Sequence, residues 1–427
     1  MEQDRAVYSR STPIPMPTPW LMPSIHRKKT SSLKDSKTSL RMFAISAPGL
    51  EPLVASEIDQ LGIRGGSQLE GGVAFSGGLA QLYQANLWLR TASRVVVRMD
   101  EFHASSFHEL ERGAKRVAWE EYLVPGSSVV FRVTCRKSRL YHSDAVAQRL
   151  SEAAVQQVPG VKVALLEPES SDENMAEDRE GASVEVRIPP QLFVVRISHD
   201  NCVISADSSG GLLHRRGYRQ ATGKAPLRET LAAAMVIGSE WDGVAPLIDP
   251  MCGSGTIAIE AAMIARRMAP GVQREFAFQQ WPGFRKAVWE SIKERASENV
   301  LSGTSGALMA SDRDDGAVKL AMENALRAGV ANDIEISARP ISAIEPPAGS
   351  GWMITNPPYG IRVGDPRDLR NLYAQLGKVI RSRMPHYTVA MLTADPVLES
   401  MLQLRLQEIF RTRNGGIPVR LMKTSAQ

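Results

Sequence analysis

The chain has 427 residues, 43% apolar and 23% charged, the balance of a globular protein with room for two or three domains and at least one sizeable core. No apolar run approaches the ~18–20 residues of a membrane span, and Cys135, Cys202 and Cys252 are too few and too far apart for a disulfide framework or metal-ligand spacing. The formal charge of +5 is carried by residues 1–42, with eight Lys/Arg and three acids; the rest is balanced, so a nucleic-acid partner must be argued from local patches.

Residues 1–42 are Ser/Thr/Pro-rich, basic and without periodicity. Two readings stand: a solvated tail, or an organelle transit peptide that would send the chain to a plastid or mitochondrion instead of leaving it cytoplasmic. Glu2, Asp4 and five prolines before residue 24 count against a mitochondrial amphipathic helix. Cysteine usage fits a reducing compartment with no structural metal. Order is expected from "MFAISAPGLEPLVASEIDQLGI" (42–63), an apolar strand followed by a helix with Leu50, Leu53, Val54, Ile58 and Leu61 at helical spacing and Gly62 at its end. "GGVAFSG", "LAQLYQANLWLR" and "ASRVVVRMDEF" add strand, helix and strand, a compact α+β module.

Residues 127–158 read as a strand, a basic turn and an amphipathic helix. Arg132, Arg136, Lys137 and Arg139 cluster there beside Tyr141 and His142, either as ordinary surface charge or as a patch that tracks phosphates. "EPESSDENMAEDRE" (167–180) reads as a solvated insertion before two or three further strands. From about residue 206 strands and helices alternate, as in a parallel doubly wound sheet. Strands are expected at 245–249, 307–311, 333–337, 351–355, 387–393, 405–411 and 417–422, and helices near 225–240, 255–267, 284–297, 314–328 and 369–383.

Two motifs carry chemistry. In "PLIDPMCGSGTIAIEAAMIA" (246–265) a strand ends at Asp249-Pro250 and passes through Gly253-Ser254-Gly255 into a helix, where glycines admit a ligand to the backbone and free N–H groups face it. A dinucleotide fold would place a ribose-binding acid ~20 residues on. The next strand end instead supplies Asp312, 57 residues after Gly255, beyond an inserted helical segment. Asp312 suits a ribose diol or an N-cap of the next helix. In "MITNPPYG" (353–360) Pro357 and Pro358 end a strand and leave Asn356 at its carboxyl end, where open α/β sheets bind ligands. The Asn356 side-chain oxygen and the Pro357 carbonyl could hold both N–H bonds of an aromatic amine and turn its lone pair toward a donor, with Tyr359 stacked on the base. Cys252 reads as a small filler.

These motifs resemble those of the S-adenosylmethionine-dependent RNA guanine-N2 methyltransferases that carry an N-terminal THUMP domain, of the type acting on large-subunit ribosomal RNA. "DPMCGSGTIAIEAA" resembles the cofactor loop, "TNPPYGIRVGD" the amine-methylating motif, "LHRRGYRQATGKAPLRETLAAAMV" the entry to the catalytic domain and "FRVTCRKSRLYHSDAVAQRL" the THUMP domain; "FAFQQWPGF" and "NGGIPVRLMK" also fit. The resemblance implies a Rossmann-like α/β methyltransferase domain (206–427), preceded by a ferredoxin-like α+β module (43–100) and a THUMP-like RNA-binding domain (101–205). It implies that S-adenosylmethionine lies against Asp249, Pro250, Gly253, Ser254, Gly255 and Thr256 with its ribose on Asp312. The target base would lie against Asn356, Pro357, Pro358 and Tyr359, and the RNA against Arg132, Arg136, Lys137 and Arg139. The expected partner is RNA, ribosomal rather than transfer RNA, with no membrane and no metal. One departure stands out: Pro340 occupies the place of an acid that many relatives set near the adenine amine. Rival readings are an adenine-N6 or glutamine amine methyltransferase, and an RNA-binding protein without catalysis.

Overall fold

The computed structural model describes residues 39–63, 65–165, 189–219, 227–359 and 366–425. Residues 1–38 of the expected tail and the acidic stretch 167–180 lie outside them.

The N-terminal half builds one eight-stranded sheet. Its strands are β1 (Leu40–Ser46), β2 (Ser67–Leu69), β3 (Gly72–Gly77), β4 (Ala92–His103), β5 (Ser128–Arg136), β6 (Lys162–Val163), β7 (Gln191–Ser198) and β8 (Asn201–Asp207), in the order β2-β3-β1-β4-β8-β7-β5-β6. The first strand begins at Leu40, so Arg41, counted with the tail in the sequence, is a sheet residue. The α+β module and the segment after it share this sheet, because β4 pairs antiparallel with β8 from Val96↔Asp207 to His103↔Asn201. Strand alternation divides its two faces. Met42, Ala44, Val73, Phe75, Val95, Val97, Phe131, Phe193, Val195 and Ile204 form one core with helices α1 (Glu51–Gln60), α2 (Leu79–Trp88), α3 (Phe107–Ala114) and α4 (Ser143–Gln157). On the other face Phe43, Val194 and Val203 are half-buried and contribute to no apolar core.

The second half holds α5 (Glu229–Gly238), β9 (Leu247–Asp249), α6 (Thr256–Ala265), α7 (Lys286–Glu298), β10 (Leu308–Asp312), α8 (Asp315–Ala328), β11 (Ile334–Ala338), β12 (Gly351–Thr355), α9 (Pro366–Arg383), β13 (Tyr387–Thr393), α10 (Pro396–Met401), β14 (Leu406–Asn414) and β15 (Ile417–Thr424). Its sheet runs β11-β10-β9-β12-β13-β15-β14, with the first five strands parallel and the last hairpin antiparallel. Neighbouring residues on one strand enter opposite cores. Leu247, Ile354, Ala390 and Leu392 pack with α5, α6 and α8, while Ile248, Met353, Val389 and Met391 pack with α9. Burial on both faces is why these strands are continuously apolar.

The inserted segment joins the halves. Phe276, Phe278, Trp281 and Trp289 belong to the N-terminal core, not to the sheet they interrupt. Phe278 stacks on Tyr83 at 4.5 Å, Trp289 meets that ring edge-on at 6.0 Å, and Trp281 donates to Gln191 Oε1 at 2.8 Å. Trp289→Ala is expected to destabilise the protein by about 3–5 kcal/mol, the cost of truncating a buried aromatic, read by chemical denaturation.

Candidate functional site

Three neighbouring strands end at one edge of the second sheet. β9, flanked by β10 and β12, delivers Asp249; β10 delivers Asp312; Asn356 follows β12 directly. The three separate motifs are thus brought to one edge by adjacent strands.

The loop after β9 turns on glycine. Gly253 has φ +52° and Gly255, the N-cap of α6, has φ +81°, both in the left-handed region that a side chain disfavours. A Cβ on Gly255 would lie 3.0 Å from the Ala321 Cβ, so glycine also lets α8 approach α6. A Cβ on Gly253 would meet nothing within 4 Å, so this backbone faces open space. Asp312 is not the N-cap of α8: Asp314 caps it, accepting from the Gly316 and Ala317 N–H groups. Asp312 accepts instead from Gly253 N at 3.0 Å and Asp314 N at 3.1 Å, which joins the two loops.

Asp249 is buried and accepts through Oδ1 from the Thr355 hydroxyl at 2.8 Å and from Met251 N at 3.3 Å. Its Oδ2 is also buried and has no partner among the described residues. Burial pushes the Asp249 carboxyl up to about 7, helped by the Asp312 charge and opposed by the Thr355 and Met251 hydrogen bonds. Burial and the same two acids push the Cys252 thiol up, so it stays neutral and unreactive. Asn356 Oδ1 on this edge is likewise a buried acceptor without a partner among the described residues. Pro357 is buried beside it and Pro358 half-buried. Tyr359 departs from the stacking role expected of it: its ring is 8% exposed, packs in the core and accepts through its hydroxyl from Asn414 Nδ2 at 2.9 Å. That bond pins the loop to the β14–β15 turn and leaves little ring face for a base.

Several supporting groups escape sequence reading. Arg219 donates to the Thr256 hydroxyl at 2.7 Å and lies 3.4 Å from Glu229, while Asn324 Nδ2 donates to the Ser254 carbonyl at 3.1 Å. Burial pushes Glu229 up to about 7, with Arg219 pulling the other way, and its Oε2 has no partner. The available signal was a lone acid at the head of an otherwise apolar, wholly buried helix. Pro340 follows β11, the neighbour of β10, and is exposed.

Pro250, Gly253, Ser254, Gly255 and Thr256 thus form a turn with an open backbone at a helix N-terminus, bordered by Asp249 and Asp312. A zwitterionic, ribose-bearing ligand needs these features: acceptors for an ammonium group, N–H groups for a carboxylate and a carboxylate for a diol. The unpartnered Asp249 Oδ2 and the open space at Gly253 fit the cofactor expected from the sequence.

The four basic residues of the first half are near one another but not equivalent. Arg132 and Arg136 share one face of β5, two pleats apart. Lys137, at φ +50°, and Arg139 lie in the following turn, which Arg139 N holds to Asp200 Oδ1 at 2.7 Å. Tyr141 is 70% exposed, with its ring 4.1 Å from that of His142.

Residues 216–423 match the family described as "RMKL-like, methyltransferase domain", and residues 41–96 match the "RlmL ferredoxin-like domain". A protein of Synechocystis sp. named "Putative RNA methyltransferase slr0064" is 34% identical over 389 residues, 91% of this chain and 97% of its own. The "Ribosomal RNA large subunit methyltransferase K/L" of Syntrophotalea carbinolica is 33% identical over 394 residues, 90% of this chain and 53% of its own, so the chain spans about half the length of that relative. Of solved structures, SMU.472, described as "a putative methyltransferase complexed with SAH", superposes with a TM-score of 0.79 at 28% identity, covering 92% of this chain and 99% of that one.

Asp249 has a stability consequence. Its folded pKa of about 7 lies above the model-peptide value of 3.8, so the folded state holds the proton more tightly. The carboxyl costs nothing below pH ~4, opposes folding increasingly as pH rises toward 7, and does so fully above it. Asp249→Asn removes the ionisation, so the ligand-free variant is expected to gain in melting temperature over the parent at pH 8 relative to pH 5, read by parallel thermal melts.

Proposed function

The chain belongs to the RlmL-like methyltransferases, enzymes that use S-adenosylmethionine, and from that premise we propose that it methylates the exocyclic N2 amine of a guanine in RNA. The observation that carries this reading is Asn356 Oδ1, a buried acceptor without a partner among the described residues, on the same sheet edge as the glycine turn. A buried unsatisfied acceptor costs about 1–3 kcal/mol, so this edge awaits a donor. An aromatic amine supplies two N–H groups, which Asn356 Oδ1 and the Pro357 carbonyl would accept.

When bound, the cofactor supplies a methyl group on a positively charged sulfur. The residues named here would do the rest. Asn356 and Pro357 hold the amine so that its lone pair leaves conjugation with the ring and points at the methyl carbon. Positive charge develops on that nitrogen as the new C–N bond forms, both hydrogen bonds strengthen as it does, and the nitrogen returns to neutrality by releasing one of its protons to water. Asp249 Oδ2 would accept from the cofactor's ammonium, which favours the ionised carboxylate, and Asp312 would hold its ribose. Residues 101–205 would serve as a THUMP-like RNA-binding domain with Arg132, Arg136, Lys137 and Arg139 near the phosphates. The names of the Synechocystis and Syntrophotalea relatives support RNA, and that of the second favours ribosomal over transfer RNA.

The test incubates the full chain with methyl-labelled S-adenosylmethionine and RNA from cells lacking this enzyme, then digests the product to nucleosides. Label in N2-methylguanosine is expected; label in N6-methyladenosine, or none in RNA while the cofactor binds, overturns the assignment. Asn356→Ala is expected to lower kcat by about 10²–10³-fold, as for loss of one transition-state hydrogen bond, with cofactor affinity nearly intact. Equal loss of both would remove the role given to Asn356.

A further inference from the structure

The face of the first sheet that no helix among the described residues covers carries a row of arginines that crosses both N-terminal modules. Register fixes which residues share it. Thr134 pairs with Arg196, Arg196 with Val203 and Ser205 with Arg98, while Val96, two residues before Arg98, pairs with Phe43. Alternation adds Arg41, Arg132 and Arg136 to this face. The Arg98 guanidinium lies 4.7 Å over the Phe43 ring. Burial lowers the Arg98 pKa, as do the nearby Arg41 and Arg196 charges, and Glu101 opposes them.

The face is concave. Glu70 sits in the turn between β2 and β3, five strands from β5 in the sheet order. At about 4.8 Å per strand a flat sheet would hold them roughly 24 Å apart, beyond the reach of two side chains. Yet Arg136 Nη1 lies 2.8 Å from Glu70 Oε1, and Arg196 Nη2 lies 3.8 Å from Glu70 Oε2. The sheet therefore curls toward its arginine face until its two ends meet across it. An exposed carboxylate is held where arginines from two strands converge.

We propose that this concave face is the RNA-docking surface, that it engages the phosphate backbone of an RNA strand, and that Glu70 occupies the place of one phosphate. The inference rests on the RNA reading above and deepens it. It extends contact beyond the turn at Lys137 and Arg139 to Arg41, Arg98 and Arg196 on three other strands. Charge complementarity carries it, because Arg41, Arg98, Arg132, Arg136 and Arg196 share this face with Glu70 and Glu101, an excess of positive charge that suits a phosphate backbone. RNA displaces the Glu70 contacts, so this acid competes with the ligand.

The proposal predicts effects of opposite sign. With the full chain and a labelled single-stranded RNA oligonucleotide, Arg98→Ala combined with Arg196→Ala should weaken binding at least about tenfold and reduce the salt-dependence slope by about 1.4. Glu70→Gln, at an exposed turn, should strengthen binding severalfold. Cofactor affinity and melting temperature are measured on every variant, and methyl transfer to RNA on the parent. If the parent methylates RNA and both variants bind it as the parent does, the docking surface is wrong and the activity stands. Weaker binding by Glu70→Gln in a folded, cofactor-binding protein also overturns it, because the acid is then a structural pin. A parent that neither binds nor methylates RNA removes both readings. If the double variant loses its fold, the sign of the Glu70→Gln effect decides alone.

Discussion

One buried carboxylate holds the two halves in register. Glu260 lies on α6, the helix opened by the glycine turn, and is fully buried. Burial is tolerated because Arg216 approaches to 3.5 Å, Arg90 to 3.9 Å and the Tyr218 hydroxyl donates at 3.2 Å. Arg90 comes from the turn before β4, and its own N–H donates to the buried Glu57 at 2.7 Å. Its guanidinium also reaches the Met268 carbonyl at 2.5 Å, and Arg216 donates to the Arg90 carbonyl at 2.7 Å. Removing one member of such a set leaves uncompensated charge in a dry interior, at about 3–5 kcal/mol. The first sheet is thereby tied to the same helix that positions the site.

Downstream of that constraint the site is built from ordinary parts held at unusual cost. Three parallel strands bring two acids and an amide to one edge, and glycines open the backbone between them. Asp249 Oδ2 and Asn356 Oδ1 remain buried without donors among the described residues. Such groups oppose folding and so mark where a ligand's hydrogen bonds belong. Of the neighbouring polar groups, Thr355 is spent on Asp249 and Tyr359 on Asn414, while each Asp312 oxygen accepts from one loop N–H and keeps acceptor capacity for a ligand.

The N-terminal half follows a different logic. The four α-helices among its described residues cover one face of the eight-stranded sheet, and the aromatic side chains of the insertion join that same core. The opposite face retains arginines, and its curvature sets them around a shared concavity. On the proposed reading, RNA recruitment and methyl transfer would occupy separate sheets of one chain, with the Glu260 seam between them.

The sequence by itself determined the alternation of strands and helices in the second half, because a doubly buried parallel strand must be a short apolar run and an amphipathic helix must repeat its burial at helical spacing. The strands expected at 351–355 and 387–393 are those observed, and α9 begins only three residues early, at Pro366. The glycine turn and Asn356 were equally legible, since left-handed backbone and a strand-ending Pro-Pro demand particular residue types. Tertiary structure alone decided the rest. Whether Asp312 caps its own helix or reaches Gly253, whether Tyr359 faces a base or the core, and which acids Arg90 and Arg216 balance are questions of proximity between residues far apart in the chain. Local pattern carries no information about them. Sheet curvature belongs to the same class: the meeting of Glu70 with Arg136 follows from the twist accumulated over five strands, which no single strand encodes.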